Sequence, residues 1–193
     1  YNDNISYHLI LGSDFMAGKS IIDKKTLLSV ALKMVELYGM ESINARSLAA
    51  EAGISTKPLY RLYSSLDDLK KEVNDIIKKE YDEFIMKRVD IKNALITLCV
   101  AYVEFAGMHR NYFRSMFLSY NLKWTSVNDV LNEKWNQSTI INLVNKHSLS
   151  FDEAKSLFMN VWLYANGLAT LIACNDLKID NKEILVRIVK IYK

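Results

Sequence analysis

From Ile21 to Tyr38, apolar residues recur at helical spacing. Leu28, Ala31, Leu32 and Val35 follow the i, i+3, i+4, i+7 rule and predict an amphipathic helix that Gly39 closes. A short link, Met40–Ile43, leads into Asn44–Tyr63, which reads as two short helices around a tight turn. Asn44 suits an N-cap, and Ile43 with Leu48 suits a hydrophobic staple. Leu48, Ala49 and Ala52 give the first helix an apolar side, and Gly53 ends it because glycine enters the left-handed conformation without a Cβ penalty. Ser55 is expected to cap a second helix from Thr56, with Pro58 in its first turn, where a missing N–H costs little. Leu59 and Leu62 then face inward, and Thr56, Lys57, Tyr60 and Arg61 face out. Helix, glycine turn and helix is the spacing of a helix-turn-helix, and cations with a hydroxyl and a phenol suit phosphate oxygens and base-edge acceptors. A plain hairpin in a helical bundle has the same spacing, so this stretch alone does not decide between them.

The pattern restarts at Ser65, a second cap candidate, and runs from Leu66 to about Arg88 with Leu69, Val73, Ile76, Ile77, Tyr81 and Phe84 inside. No Gly- or Pro-rich linker interrupts it, so it predicts a rigid rod between an N-terminal head and the rest. Further helices are expected over Ile91–Gly107, capped by Asp90, over Asn111–Tyr120, over Val127–Lys146 with Val130, Leu131, Trp135, Ile140, Ile141, Leu143 and Val144 apolar, over Phe151–Cys174, and from a cap at Asp180 to Tyr192. The expected fold is all-α with about nine helices: a three-helix head at 19–65 and a helical body at 66–193. Residues 1–18 hold no Lys or Arg and read as a leader ahead of a start at Met16.

Composition agrees with long helices, since 50% of residues are hydrophobic and there are only 6 Gly and 1 Pro. The formal charge is +3 and no segment concentrates it, so any nucleic-acid contact must come from a few placed cations. Cys99 and Cys174 lie outside any metal or redox spacing and read as small buried side chains, which fits a reducing, cytoplasmic setting. No run of about 18 residues is both uncharged and apolar throughout, and no signal peptide is visible, so no membrane partner is expected. His8, His109 and His147 are scattered, with no nucleophile elbow, metal-ligand pair or phosphate loop. No catalytic residue, metal ligand or cofactor is therefore expected, and His109 beside Arg110 reads as a polar helix end.

Several of these motifs together resemble the TetR family of transcriptional regulators. In the head they are Ala31, Tyr38-Gly39, Leu48-Ala49-Ala50-Glu51-Ala52-Gly53-Ile54-Ser55, Leu59-Tyr60-Arg61-Leu62-Tyr63 and Ser65-Leu66-Asp67-Asp68-Leu69. In the body, Ala101–Phe117 (AYVEFAGMHRNYFRSMF) and Trp162–Leu168 (WLYANGL) are similar to one C-terminal type of that family. The resemblance covers about residues 20–175. It implies that Thr56, Lys57, Tyr60 and Arg61 face DNA and that Asn44 and Arg46 are accessory phosphate contacts. Tyr63 is a further accessory position, better read as a core aromatic under the head.

The resemblance also implies a ligand site in the body, with Tyr102, Phe105, Phe113, Phe117, Trp124 and Trp162 as its apolar lining and Asn166 as its polar candidate. Met116, Tyr120 and Trp135 belong to the same aromatic-rich body. The implied partners are a palindromic double-stranded operator, a small apolar or aromatic effector, and a second copy of the chain held through the last two helices. The implied function is a ligand-responsive regulator, most often a repressor. The alternative is a helical interaction protein of the same fold that does not bind DNA. Two departures bear on this. Leu66 stands where the family often has a lysine that touches a phosphate, and Asn166 stands where it has a histidine.

Overall fold

A computed structural model describes residues 22–119, 124–175 and 177–193; the expected leader and Tyr120 lie outside them. Local capping chemistry begins most of the helices. The Asp23 carboxylate accepts from the Thr26 backbone N–H at 2.7 Å and starts α1 (Lys24–Tyr38). Asn44 starts α2 (Ala45–Glu51) by accepting from the N–H groups of Arg46 and Ser47, and Ser47 returns a bond to the Asn44 backbone, completing a capping box. Ser65 starts α4 (Leu66–Met86) and Asp180 starts α10 (Asn181–Tyr192). Gly39 and Gly53 both have positive φ, at 86° and 65°, and turn the chain out of α1 and α2. The second recognition-motif helix, α3 (Lys57–Leu62), starts differently from expectation. Its cap residue is Thr56 rather than Ser55, it makes no side-chain cap bond, and Pro58 in the first turn removes one of the N–H groups such a cap would serve.

The periodicity places α1 correctly but shifts its register at one position. Leu27, Ala31, Met34 and Val35 are buried, while Leu28 and Leu32 are only partly so. In α4 the inner stripe is Leu69, Val73, Ile77, Tyr81 and Ile85, with Ile76 and Phe84 on its flank. The stretch expected as one helix over Val127–Lys146 is two, α7 (Val127–Leu131) and α8 (Lys134–His147). Asn136 is the reason: it is buried, and its amide donates to the Val130 carbonyl at 2.8 Å, satisfying the C-terminal end of α7. Ile141 faces solvent. Ten α-helices, two short 3₁₀ turns and no strand make up the described residues.

The remaining helices are α5 (Ala94–Met108), α6 (Arg110–Phe117) and α9 (Phe151–Asn175). The segments Ile91–Met108 and Phe151–Asn175 are by length and composition apolar enough to cross a bilayer, although each carries charged residues, Lys92 and Glu104 in the first and Asp152, Glu153 and Lys155 in the second. In this fold α5 and α9 form the most extensive helix pair, so much of that apolar surface is used in the core. α10 packs on α5 and α9, and α8 closes the other side. Cys99 is buried as expected, whereas Cys174, in the last turn of α9, is exposed.

Two attachments join the head to the body. One is α4, continuous from Leu66 to Met86. The other is α6, whose Asn111 amide donates to the Glu36 carbonyl at 2.8 Å and whose Tyr112 hydroxyl donates to the Leu32 carbonyl at 3.4 Å, both on α1.

Candidate functional site

The head presents one face free of the core. Lys57, Tyr60 and Arg61 lie at i, i+3 and i+4 on α3, so they share a side of the helix, and all three are exposed, Tyr60 by 60%. Leu59, on the opposite side, is buried. Thr56 is half-buried, and Asn44 and Arg46 are exposed at the start of α2. Among the described residues, Arg46, Lys57 and Arg61 have no ion-pair partner. Tyr63 is instead a support. It is buried, its hydroxyl donates to Glu72 at 3.1 Å, and Lys24 lies 4.9 Å above its ring while holding Glu72 at 2.7 Å. Burial first, then Glu72, pushes its phenol above the ordinary range, so it remains protonated and donates. Leu66 is partly buried and packs against the head, an apolar contact where a lysine would reach outward.

Asn44 has two separable uses in this arrangement. Asn44→Ala is expected to lower stability by about 1 kcal/mol through loss of the cap. Asn44→Asp keeps the accepting oxygen but brings a negative charge to the same face, so it should leave the melting temperature near the parent value while weakening binding to a DNA duplex. Thermal melts and duplex titrations on the two variants check both parts.

The body holds a cavity of about 240 Å³, open to solvent on one side, among α4, α5, α6, α8 and α9. Tyr102, Phe117, Trp124 and Trp162 line it, and these were among the residues expected there. Their rings form one chain: Tyr102 meets Phe117 edge to face at 5.1 Å, Phe117 lies 6.2 Å from Trp124, and Trp124 meets Trp162 edge to face at 5.7 Å. Phe105, Phe113 and Asn166 do not line the cavity. Phe105 and Phe113 are wholly buried behind its wall, and Asn166 accepts the Tyr102 hydroxyl at 2.9 Å, which fixes that ring from outside.

The sequence reading missed the polar half of the wall. Asn74, Asp75, Lys78 and Asp82 come from α4, Ser115 from α6, and Glu133 and Asn136 from the α7–α8 region, with Trp135 beside them. Asp82 accepts the Trp135 indole N–H and Glu133 accepts that of Trp124, each at 3.0 Å. Tyr81 also lines the cavity, and burial first, then the neighbouring Asp82 carboxylate, raises its phenol far above the usual range. Ser115 donates to Asn74 at 2.8 Å, tying α6 to α4 at the cavity.

Elsewhere, α9 and α10 leave several large apolar side chains in solvent. Leu163, Leu171, Leu185, Val186 and Ile191 are exposed, and a Cβ added at Gly167 would meet nothing. His109 sits between α5 and α6, stacked on Tyr112, with its Nδ1 buried and without a hydrogen-bond partner among the described residues. Desolvation lowers its affinity for a proton. No group of three or more His, Cys, Asp or Glu among the described residues could hold a metal ion.

No family description and no curated protein matches this sequence. Its structure does have counterparts. A TetR-like transcriptional regulator from Rhodococcus sp. RHA1 superimposes with a TM-score of 0.58 at 14% identity, over 87% of this chain and 92% of that one. The multidrug binding protein EbrR, solved in complex with imidazole, superimposes with a TM-score of 0.53 at 12% identity, over 86% of this chain and 88% of that one. The fold is therefore that of TetR-like regulators.

Proposed function

We propose that this chain is a ligand-responsive transcriptional regulator that binds a two-fold symmetric DNA operator as a homodimer, in the cytoplasm and without catalysing a reaction. The observation that carries this reading is the outward face of α3. Lys57, Tyr60 and Arg61 are exposed and unpaired on a helix-turn-helix whose leucine side is locked into the head. Unpaired cations on a rigid short helix suit phosphates and base edges in the major groove. Thr56, Asn44 and Arg46 flank that face and complete the proposed contact set. The exposed apolar side chains of α9 and α10, Leu163 and Leu171 on one side of α9 among them, support pairing through a four-helix interface of two copies. Tyr102, Phe117, Trp124 and Trp162 are the proposed effector contacts.

α6 supplies a route between the two sites. Ser115, Met116 and Phe117 stand at the cavity while Asn111 and Tyr112 grip α1, all within one eight-residue helix. An occupant that displaces α6 shifts the head relative to the body. Such an occupant releases or retains DNA only to the extent that it binds one arrangement better than the other.

A second reading, a helical interaction protein without DNA binding, is favoured by Leu66, which packs inward and offers no charge to a phosphate. Selection of duplexes from a random pool by the full chain separates the two. The regulator should enrich a symmetric site with half-sites about one helical turn, roughly 34–36 Å, apart, and its affinity should fall linearly with salt on logarithmic axes. Recovery of no common sequence, with binding insensitive to salt, would overturn the DNA-binding reading.

A further inference from the structure

We infer that the body cavity takes a small organic cation carrying an aromatic or apolar group. This deepens the effector-cavity reading above and rests on it. The wall holds three carboxylates, Asp75, Asp82 and Glu133, against one cation, Lys78. None of the three acids has an ion-pair partner among the described residues. Asp82 and Glu133 each take one neutral indole N–H, which leaves most of their acceptor capacity free. Those same bonds anchor Trp135 and Trp124 beside the carboxylates, so aromatic side chains and negative charge occupy one small space. An ammonium or amidinium group gains from both, by charge-assisted contact with a carboxylate and by attraction to the electron-rich ring face.

An anion meets an excess of acid. A neutral apolar molecule expels water from Asp82 and Glu133 and returns no charge or hydrogen bond for it. The expected small apolar or aromatic effector therefore gains a positive charge, while the ring chain from Tyr102 to Trp162 still favours an unsaturated or apolar body. At about 240 Å³ the space lies just below the usual span of ligand pockets, roughly 300–1,000 Å³, which favours a small ligand.

The chain has 3 tryptophans and all of them line the cavity, so their emission reports occupancy directly. The test titrates the full chain with phenyltrimethylammonium and with tert-butylbenzene, two probes of nearly the same shape that differ by one charge. The expected result is a preference for the cation of about tenfold or more. Glu133→Gln and Asp82→Asn retain a carbonyl oxygen for the indole bonds, and each should narrow that preference severalfold in protein that melts as the parent does. Equal or tighter binding of the neutral probe overturns the cation assignment and leaves the effector cavity standing. Binding of neither probe, up to millimolar concentration, overturns the cavity as an effector site altogether. DNA selection is unaffected by either outcome.

Discussion

Alanine placed together at Lys57, Tyr60 and Arg61 is expected to abolish measurable operator binding, with affinity falling by roughly a thousandfold or more. Each residue that reads a base edge contributes about 1–3 kcal/mol of discrimination, and each lost phosphate contact lowers the slope of log affinity against log salt by about 0.9. With three neighbouring positions lost on one face of a single six-residue helix, no other part of α3 can take over. The fold should be unaffected, because all three side chains are exposed and none has an ion pair to lose. Fluorescence anisotropy with the selected duplex at two or more salt concentrations, beside a thermal melt, gives both readings. Retained affinity with an unchanged salt slope would mean that a different surface holds the DNA.

Phe105→Ala should be among the most damaging single changes to stability. Phe105 is 1% exposed, and its ring meets Tyr81 edge to face at 5.1 Å and Phe84 at 5.3 Å, so it fills the space between α4 and α5. Phenylalanine-to-alanine changes in cores cost about 3–5 kcal/mol, because transfer energy is lost and the neighbours close the hole only partly. For a chain of this length each kcal/mol lowers the melting temperature by about 2–4 °C, so a fall on the order of 10 °C is expected. Phe105→Leu keeps most of the volume and should lose much less. Calorimetry on both variants decides it, and an alanine variant that melts with the parent would show that this part of the core is not packed as described.

The parts of this architecture that were legible from sequence are those set by short-range chemistry. Asn44, Ser65 and Asp180 cap helices because each holds an acceptor beside free N–H groups two or three residues on, a relation visible in any window of four residues. The outward side of α3 was legible for a similar reason, since Leu59 fixes which way a six-residue helix turns. Where two adjacent residues are equally apolar, periodicity cannot choose between them, and Leu27 displaced Leu28 only through packing against the rest of the head. The break between α7 and α8 depends on one side chain, Asn136, reaching back six positions to Val130.

The acidic half of the cavity was hidden for a different reason. Asp75, Lys78 and Asp82 have the spacing of a solvated helix face, and Glu133 looks like a loop residue. They become a site only because α6 and the α7–α8 region fold over that face of α4. Asn166 stood out as a polar side chain on an apolar stripe, but its partner, the Tyr102 hydroxyl on its Oδ1, lies 64 positions away and is invisible in any local window.

The double attachment of the head carries a mechanical consequence. A head held along α4 alone would feel only that helix, but with a second fixing point at Asn111 and Tyr112 any displacement of α6 pulls on α1 as well. If two such heads are paired through α9 and α10, their separation depends on how α6 sits in each copy. In the proposed regulator, a small twist at α6 would be multiplied by the lever arm out to Arg61.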